Sequence, residues 1–176
     1  MQIMKAGYEI LTPIDGVKEL QHIEQIGRVC YKSEGNITED GESAKQFVSM
    51  LIKRGHEAMI EHSTLSIKFI IDRGVSHELV RHRIASFAQE STRYCNYAAD
   101  KFENEINVIS IQNGLALDKA TSQLPLSQIT KILDEWLAAV DDAEQHYLNL
   151  IELGASPQMA RSVLPNSTKT EIIMTV

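Results

Sequence analysis

Positive charge is concentrated in one short segment of an otherwise acidic chain. Residues 81–94 include Arg81, His82, Arg83 and Arg93, whereas the whole sequence carries a formal net charge of -7. Arginine stays charged at neutral pH and donates through a planar fork of N–H groups, which suits phosphate oxygens and ring carbonyls. The segment therefore predicts a site for small anions.

The residues around the arginines fit the same chemistry. Ser91 and Thr92 add hydroxyl groups next to Arg93, in a predicted loop whose backbone amides can also turn toward a phosphate. For a single arginine, a surface ion pair such as Arg81 with Glu78 is the simpler explanation. For the whole cluster, anion binding is the better one.

Composition limits the remaining possibilities. With 43% hydrophobic and 23% charged residues, the chain has the profile of a globular domain, and we expect one domain over residues 1–176. The acidic balance argues against a nucleic-acid partner. No apolar run reaches the ~20 residues of a membrane span, and the first residues lack a signal-peptide core. We therefore expect a cytoplasmic protein with no membrane partner, whose Cys30 and Cys95 are free thiols.

Hydrophobic periodicity predicts the elements that carry the cluster. The first half contains a strand over 2–11, a helix over 16–31 capped by Asp15, a loop over 32–41, a second helix ending near Gly55, and a strand over 63–72. Ser76 then caps a short helix through Arg83, on which Arg81 and Arg83 would point about 200° apart. The rest of the cluster would lie in the following loop.

The second half is dominated by one long helix. We expect a strand over 107–111, a helix over about 127–153 stopped by Gly154, a further helix from Ser156 and Pro157 to Pro165, and a strand over 168–176. These elements predict an α+β fold, a mainly antiparallel twisted sheet flanked by long helices.

Arg81-His82-Arg83, seven further residues and then Ser91 match the signature of a known family, the flavin-dependent thymidylate synthases. The resemblance continues through 55–57 and 61–62 upstream, and through Gly154, Pro157, 160–161 and 164–165 downstream. It covers nearly the whole chain.

The resemblance implies an enzyme that methylates dUMP to dTMP without a protein nucleophile. Methylenetetrahydrofolate would give the carbon, and FAD reduced by NADPH would carry the hydride. The family is usually a homotetramer whose active sites are shared between subunits. Partners would thus be dUMP, folate and further copies of the chain.

Site residues follow by position in the family pattern. The flavin-binding residues would be His56, Arg81, His82, Arg83 and Gln89. The dUMP-binding residues would be Glu78, Leu79, Val80 and Arg81 of one subunit. Gln89, Glu90, Ser91, Thr92 and Arg93 would be contributed to a neighbouring subunit's site, and Arg161 would bind the nucleotide. Glu78, Gln89 and Ala58 differ from some relatives, which favours backbone contacts there, and Arg81 is the expected partner of Glu78.

The family pattern continues beyond Val176, with an Asn-x-Arg flavin contact and then an arginine that polarises the uracil ring. Residues 1–176 therefore contain binding residues but no expected catalytic residue. We expect a protein ending at Val176 to retain little synthase activity.

Other chemistries are less well supported by the sequence. His56 and His62 are six residues apart and His77 and His82 five apart, so neither pair has metal-ligand spacing on a helix, and we expect no metal site. No histidine and carboxylate pair is evident to activate Ser91. A non-catalytic or degenerate nucleotide- and flavin-binding module is the alternative function, and a structural protein with a solvated basic helix is a third.

Overall fold

The computed structural model describes residues 1–99 and 102–176. The chain divides into two compact units, the first from Met1–Glu9 and Lys68–Met174, the second from Ile10–Ile67 and Thr175–Val176. Each unit joins segments that are distant in sequence. No linker-like stretch therefore marks the division.

The second unit is built on two helices. Helix α1 (Gly16–Tyr31) has the predicted bounds, and Asp15 caps it by accepting hydrogen bonds from the backbone N–H groups of Val17 and Lys18. Helix α2 (Glu42–Arg54) ends at Gly55 in a left-handed conformation, as predicted. The core between them consists of Ile23, Phe47, Val48 and Leu51. A 3-10 turn, Glu57–His62, follows α2 and was not predicted.

Within the described residues, six strands form two sheets. The strands are β1 (Gln2–Met4), β2 (Gly7–Ile10), β3 (Ser66–Asp72), β4 (Ser86–Gln89), β5 (Asn107–Ile109) and β6 (Lys169–Thr175). Four of them lie in the order β2-β3-β6-β4. Beyond the ends of β3 and β6, Leu65 and Val176 exchange both backbone hydrogen bonds, at 2.7 and 3.0 Å, which is the antiparallel pattern.

The single opening strand predicted over 2–11 is wrong in one respect. This segment consists of two short strands that belong to different sheets. Strand β1 pairs in parallel with β5, whereas β2 joins the four-stranded sheet. The strand pattern in the sequence does not reveal this change of partner.

The first unit packs around the long helix. Helix α5 (Leu126–Glu152) agrees with the predicted 127–153, and Gly154 follows it with φ 93°. Its buried Val140 and Tyr147 contact Tyr97, Ile106 and Val108 in one core. The unit also contains α3 (Arg73–Leu79), the unpredicted α4 (Gln112–Leu117) and α6 (Pro157–Ala160).

The predicted α+β class, with a mainly antiparallel sheet and long helices, is confirmed. Among the described residues no helix has both the length and the apolar character needed to span a bilayer.

Candidate functional site

Helix α3 begins and ends earlier than predicted. Its cap is Asp72, whose Oδ1 accepts a hydrogen bond from the Val75 N–H at 2.7 Å, and the helix ends at Leu79. The predicted cap, Ser76, is buried within the helix and donates its hydroxyl to the Arg73 carbonyl at 2.9 Å. A carboxylate at the end of β3 caps the chain as soon as it leaves the sheet, so the helix starts one turn early.

The Arg-His-Arg sequence consequently lies after the helix, in the turn before β4. Because α3 ends at Leu79, before both arginines, the inference that one helix separates Arg81 and Arg83 by about 200° is wrong. Both side chains are exposed. Arg81 is 74% exposed and lies 3.5 Å from a Glu78 carboxylate oxygen, which confirms the expected ion pair. His82 Nδ1 is 3.0 Å from the Leu79 carbonyl. Because a carbonyl only accepts, Nδ1 carries the proton.

The segment after the turn is a strand rather than the predicted loop. Strand β4 ends at Gln89, whose amide nitrogen donates to Ser76 Oγ at 2.8 Å and to Thr170 Oγ1 at 3.3 Å. These two bonds occupy the nitrogen of the side-chain amide. The carbonyl of the same amide and the backbone remain the groups through which Gln89 can meet a ligand.

Residues 90–93 form a turn after the strand, in which some side chains point into the protein and others into solvent. The Glu90 carboxylate points inward, toward Tyr97 and Lys169. Ser91 Oγ accepts a hydrogen bond from the Arg93 N–H at 3.3 Å. The Arg93 guanidinium lies over the Tyr94 ring, 5.2 Å from its centroid, and both side chains are exposed. The turn thus presents one further cation.

Two predicted dUMP-binding residues from distant parts of the sequence are neighbours. Arg161, in the 3-10 turn after α6, donates from a terminal guanidinium nitrogen to Thr92 Oγ1 at 3.3 Å. Thr92 is only 5% exposed, whereas Arg161 is exposed. The buried hydroxyl therefore holds the exposed cation beside residues 89–93.

Sequence reasoning missed the residues that support this arrangement. Arg73 donates to the Glu90 carbonyl at 3.2 Å and to Thr170 Oγ1 at 3.4 Å, and Lys169 pairs with Glu171 at 2.7 Å. The alternation of side chains along strand β6 could have predicted the contact of Lys169 with Glu171, because residues 169 and 171 must lie on the same face of the sheet. Their partner at position 90 could not be read from that pattern.

His56 belongs to the second unit. Its Nδ1 is 2.8 Å from the Tyr31 hydroxyl, and the two rings are inclined by 21° with centroids 6.4 Å apart. The same unit has a cavity of about 580 Å³ whose lining is mostly apolar and includes Ile52, Ile60 and Leu65.

The described residues bring together no three His, Cys, Asp or Glu side chains that could hold a metal ion. Cys30 and Cys95 are free thiols. The arrangement of cations, hydroxyls and backbone groups is suited to binding and orienting an anionic ligand.

Comparison with known proteins gives a consistent result. The family model described as thymidylate synthase complementing protein matches residues 14–176. A flavin-dependent thymidylate synthase of Geobacter sulfurreducens is 30% identical over 154 residues, which cover 85% of this chain and 60% of that protein. One of Mycolicibacterium gilvum is 31% identical over 171 residues, covering 93% and 64%. The chain thus spans about 60% of the length of such relatives.

Solved structures share the fold. The UMP/dUMP methylase PolB of Streptomyces cacaoi, bound with 5-Br dUMP, superimposes with a TM-score of 0.76 at 18% identity, over 99% of this chain and 74% of that one. The family match over residues 14–176 and the relatives at about 30% identity lead to one conclusion: the chain belongs to the family of the flavin-dependent thymidylate synthases.

Proposed function

We propose that this chain forms the nucleotide- and flavin-binding part of an enzyme of nucleotide biosynthesis that methylates dUMP to dTMP. Methylenetetrahydrofolate is the proposed carbon donor and NADPH the proposed reductant of FAD. The observation that carries the proposal is the contact of Arg161 with Thr92 at 3.3 Å. It joins two segments that the family pattern assigns to one nucleotide, although 68 residues separate them.

The proposed dUMP site uses charge and backbone rather than a nucleophile. Arg93 and Arg161 offer guanidinium groups to the phosphate, and residues 89–93 offer hydroxyl and amide donors. Glu78, Leu79, Val80 and Arg81 complete the proposed site from another subunit. The Arg81 guanidinium offsets the Glu78 carboxylate, which would otherwise repel the phosphate.

The donor set of the turn fits a flavin nucleotide. Arg81 and Arg83 are exposed cations, and the protonated Nδ1 of His82 leaves Nε2 as the ring nitrogen available to a ligand. Gln89 would contact the flavin through its carbonyl oxygen or backbone. His56 stays a proposed flavin contact on the basis of the family pattern. When bound and reduced, FAD would supply the hydride. The residues of this chain would bind it, orient dUMP and exclude water.

We further propose a cytoplasmic homotetramer with sites shared between subunits. Support comes from apolar side chains next to the cations: Ile84 is 89% exposed, and Tyr94 is also exposed. Large exposed apolar groups in a binding segment are typical of surfaces that another chain covers.

The test uses the full-length protein supplied with FAD. We expect a flavin absorbance spectrum after purification, a spectral change on addition of dUMP, and dTMP formation when NADPH and methylenetetrahydrofolate are present. Arg83→Gln should weaken FAD binding, whereas Arg54→Gln, an exposed arginine at the end of α2, serves as the matched control. Failure to bind FAD overturns the proposal. Binding of FAD and dUMP without dTMP formation would instead favour the non-catalytic module.

A further inference from the structure

The Glu90 side chain is half-buried next to the proposed nucleotide site. It is 14% exposed, and its Oε1 accepts a hydrogen bond from the Tyr97 hydroxyl at 3.0 Å. Its Oε2 accepts from Lys169 Nζ at 3.4 Å and from the Glu171 N–H at 3.3 Å. Both carboxylate oxygens are therefore engaged within the protein.

The backbone of Glu90 is held as well. Its N–H donates to the Glu171 carbonyl at 2.9 Å, and its own carbonyl accepts from Arg73 at 3.2 Å. A buried carboxylate is costly unless a cation and donors satisfy it, and here Lys169 is the cation. Because the carboxylate faces inward, its charge is also turned away from the neighbouring residues 91–93.

Tyr97 links this carboxylate to the core of the first unit. The residue is 5% exposed, its backbone N–H donates to the Tyr147 hydroxyl at 3.2 Å, and its ring packs against Phe102 with centroids 5.2 Å apart. Burial, and next the charge of Glu90, raise the pKa of Tyr97 above its ordinary value. The phenol therefore stays protonated and donates to Glu90 at neutral pH.

We propose that Tyr97 and Lys169 are positioning residues for nucleotide binding, which act through Glu90 to fix the backbone of residues 89–93. The proposal rests on the proposed function, because it assigns dUMP to this segment. Glu90 would then serve the nucleotide as an anchor of the backbone and not through its carboxylate. The contact of Thr92 with Arg161 fixes the same segment at a second point.

The first variant is Tyr97→Phe in the full-length protein, which keeps the ring and removes only the hydroxyl. We expect the Kd for dUMP to rise on the order of tenfold, because the lost bond is to a charged acceptor. The KM for dUMP should rise in parallel, with a smaller change in kcat. Tyr8→Phe, an exposed tyrosine in β2, is the matched control and should leave dUMP binding unchanged.

Lys169 provides a second and independent variant. Lys169→Met should raise the Kd for dUMP, and Lys169→Arg should restore most of the affinity, whereas a purely structural role would predict equal binding by all folded variants. Lys68→Met removes an ion pair with Glu9 in the same sheet and is the control. In the background of Glu90→Gln, Tyr97→Phe should cost less than in the wild type, which is the signature of coupling.

The outcomes separate the two proposals. Wild-type protein that does not bind dUMP overturns the proposed function, and this inference with it. Wild-type protein that binds dUMP, together with folded Tyr97→Phe and Lys169→Met variants of unchanged Kd, overturns this inference alone. Thermal unfolding of each variant establishes which of them are folded.

Discussion

Glu90 lies within the positively charged segment 81–94 and Glu78 lies just before it, and each is neutralised differently. Glu78 stays exposed and pairs with Arg81 at 3.5 Å, whereas Glu90 turns inward to Lys169 and Tyr97. An exposed pair of this kind contributes little to stability, so its main effect is on the local charge. The inward carboxylate instead ties a binding segment to the core.

At the same scale, the two buried tyrosines should resist ionisation. Burial raises the pKa of Tyr97 and of Tyr147 above the ordinary value of 10.0, whereas Tyr8, Tyr31 and Tyr94 are exposed. We expect Tyr97 to ionise only on unfolding, and Tyr147 to ionise above its ordinary pKa value, when an alkaline titration is followed by tyrosinate absorbance. A raised folded pKa means that stability is complete below 10.0 and falls as pH rises above it. Five tyrosinates in the folded protein would contradict this.

The hydroxyl of Thr92 should matter for the nucleotide. Thr92→Val keeps the buried shape but removes the acceptor of Arg161, so the guanidinium is less well placed. We expect the Kd for dUMP to rise about fivefold, by calorimetry. Thr130→Val removes a similar hydroxyl from the surface of α5 and is the control. Equal Kd values for the two variants would refute the role of Thr92.

At the scale of elements, two aspartates cap the N-termini of two helices, of which only one leads into the proposed site. Asp15 caps α1 and Asp72 caps α3, which leads to the Arg-His-Arg turn. Replacement of either by Ala should cost about 1 kcal/mol of unfolding free energy. Only Asp72→Ala should also weaken FAD and dUMP binding, because α3 leads directly into the Arg-His-Arg turn, whereas Asp15 lies at the end of α1 opposite to Tyr31. Equal binding losses from both variants would mean that the effect is general destabilisation.

Comparison of the two caps explains what the sequence could predict. Asp15 stands alone before a clear helical stripe, and α1 has its predicted bounds. Near α3 two caps compete, and the contacts of β3 favour Asp72 over Ser76, which periodicity alone does not reveal. The family pattern selected Thr92 and Arg161, but the contact between them depends on how α6 packs. Tyr97, Lys169 and Arg73 were missed because their partners are tertiary neighbours.

At the scale of the whole molecule, carboxylates with lowered pKa values occur in both units. Hydrogen bonds lower the pKa of Asp15 and of Asp40 in the second unit, and of Asp118 and of Glu171 in the first. Their stabilisation is present above the ordinary values of 3.8 and 4.5 and is lost as pH falls through the lower folded values. Unfolding by denaturant should therefore become easier between about pH 5 and pH 3. A stability that stays constant over that range would contradict the shifts.

The pairing of β1 with β5 has a consequence for biosynthesis. Gln2 pairs with Asn107, which is made about a hundred residues after it. Meanwhile α1 and α2, whose contacts are local, are complete and can pack on each other. The nascent chain therefore carries β1 unpaired while α1 and α2 are already folding. Although β1 precedes both helices in the chain, it can reach its place in a sheet only after β5 has been made.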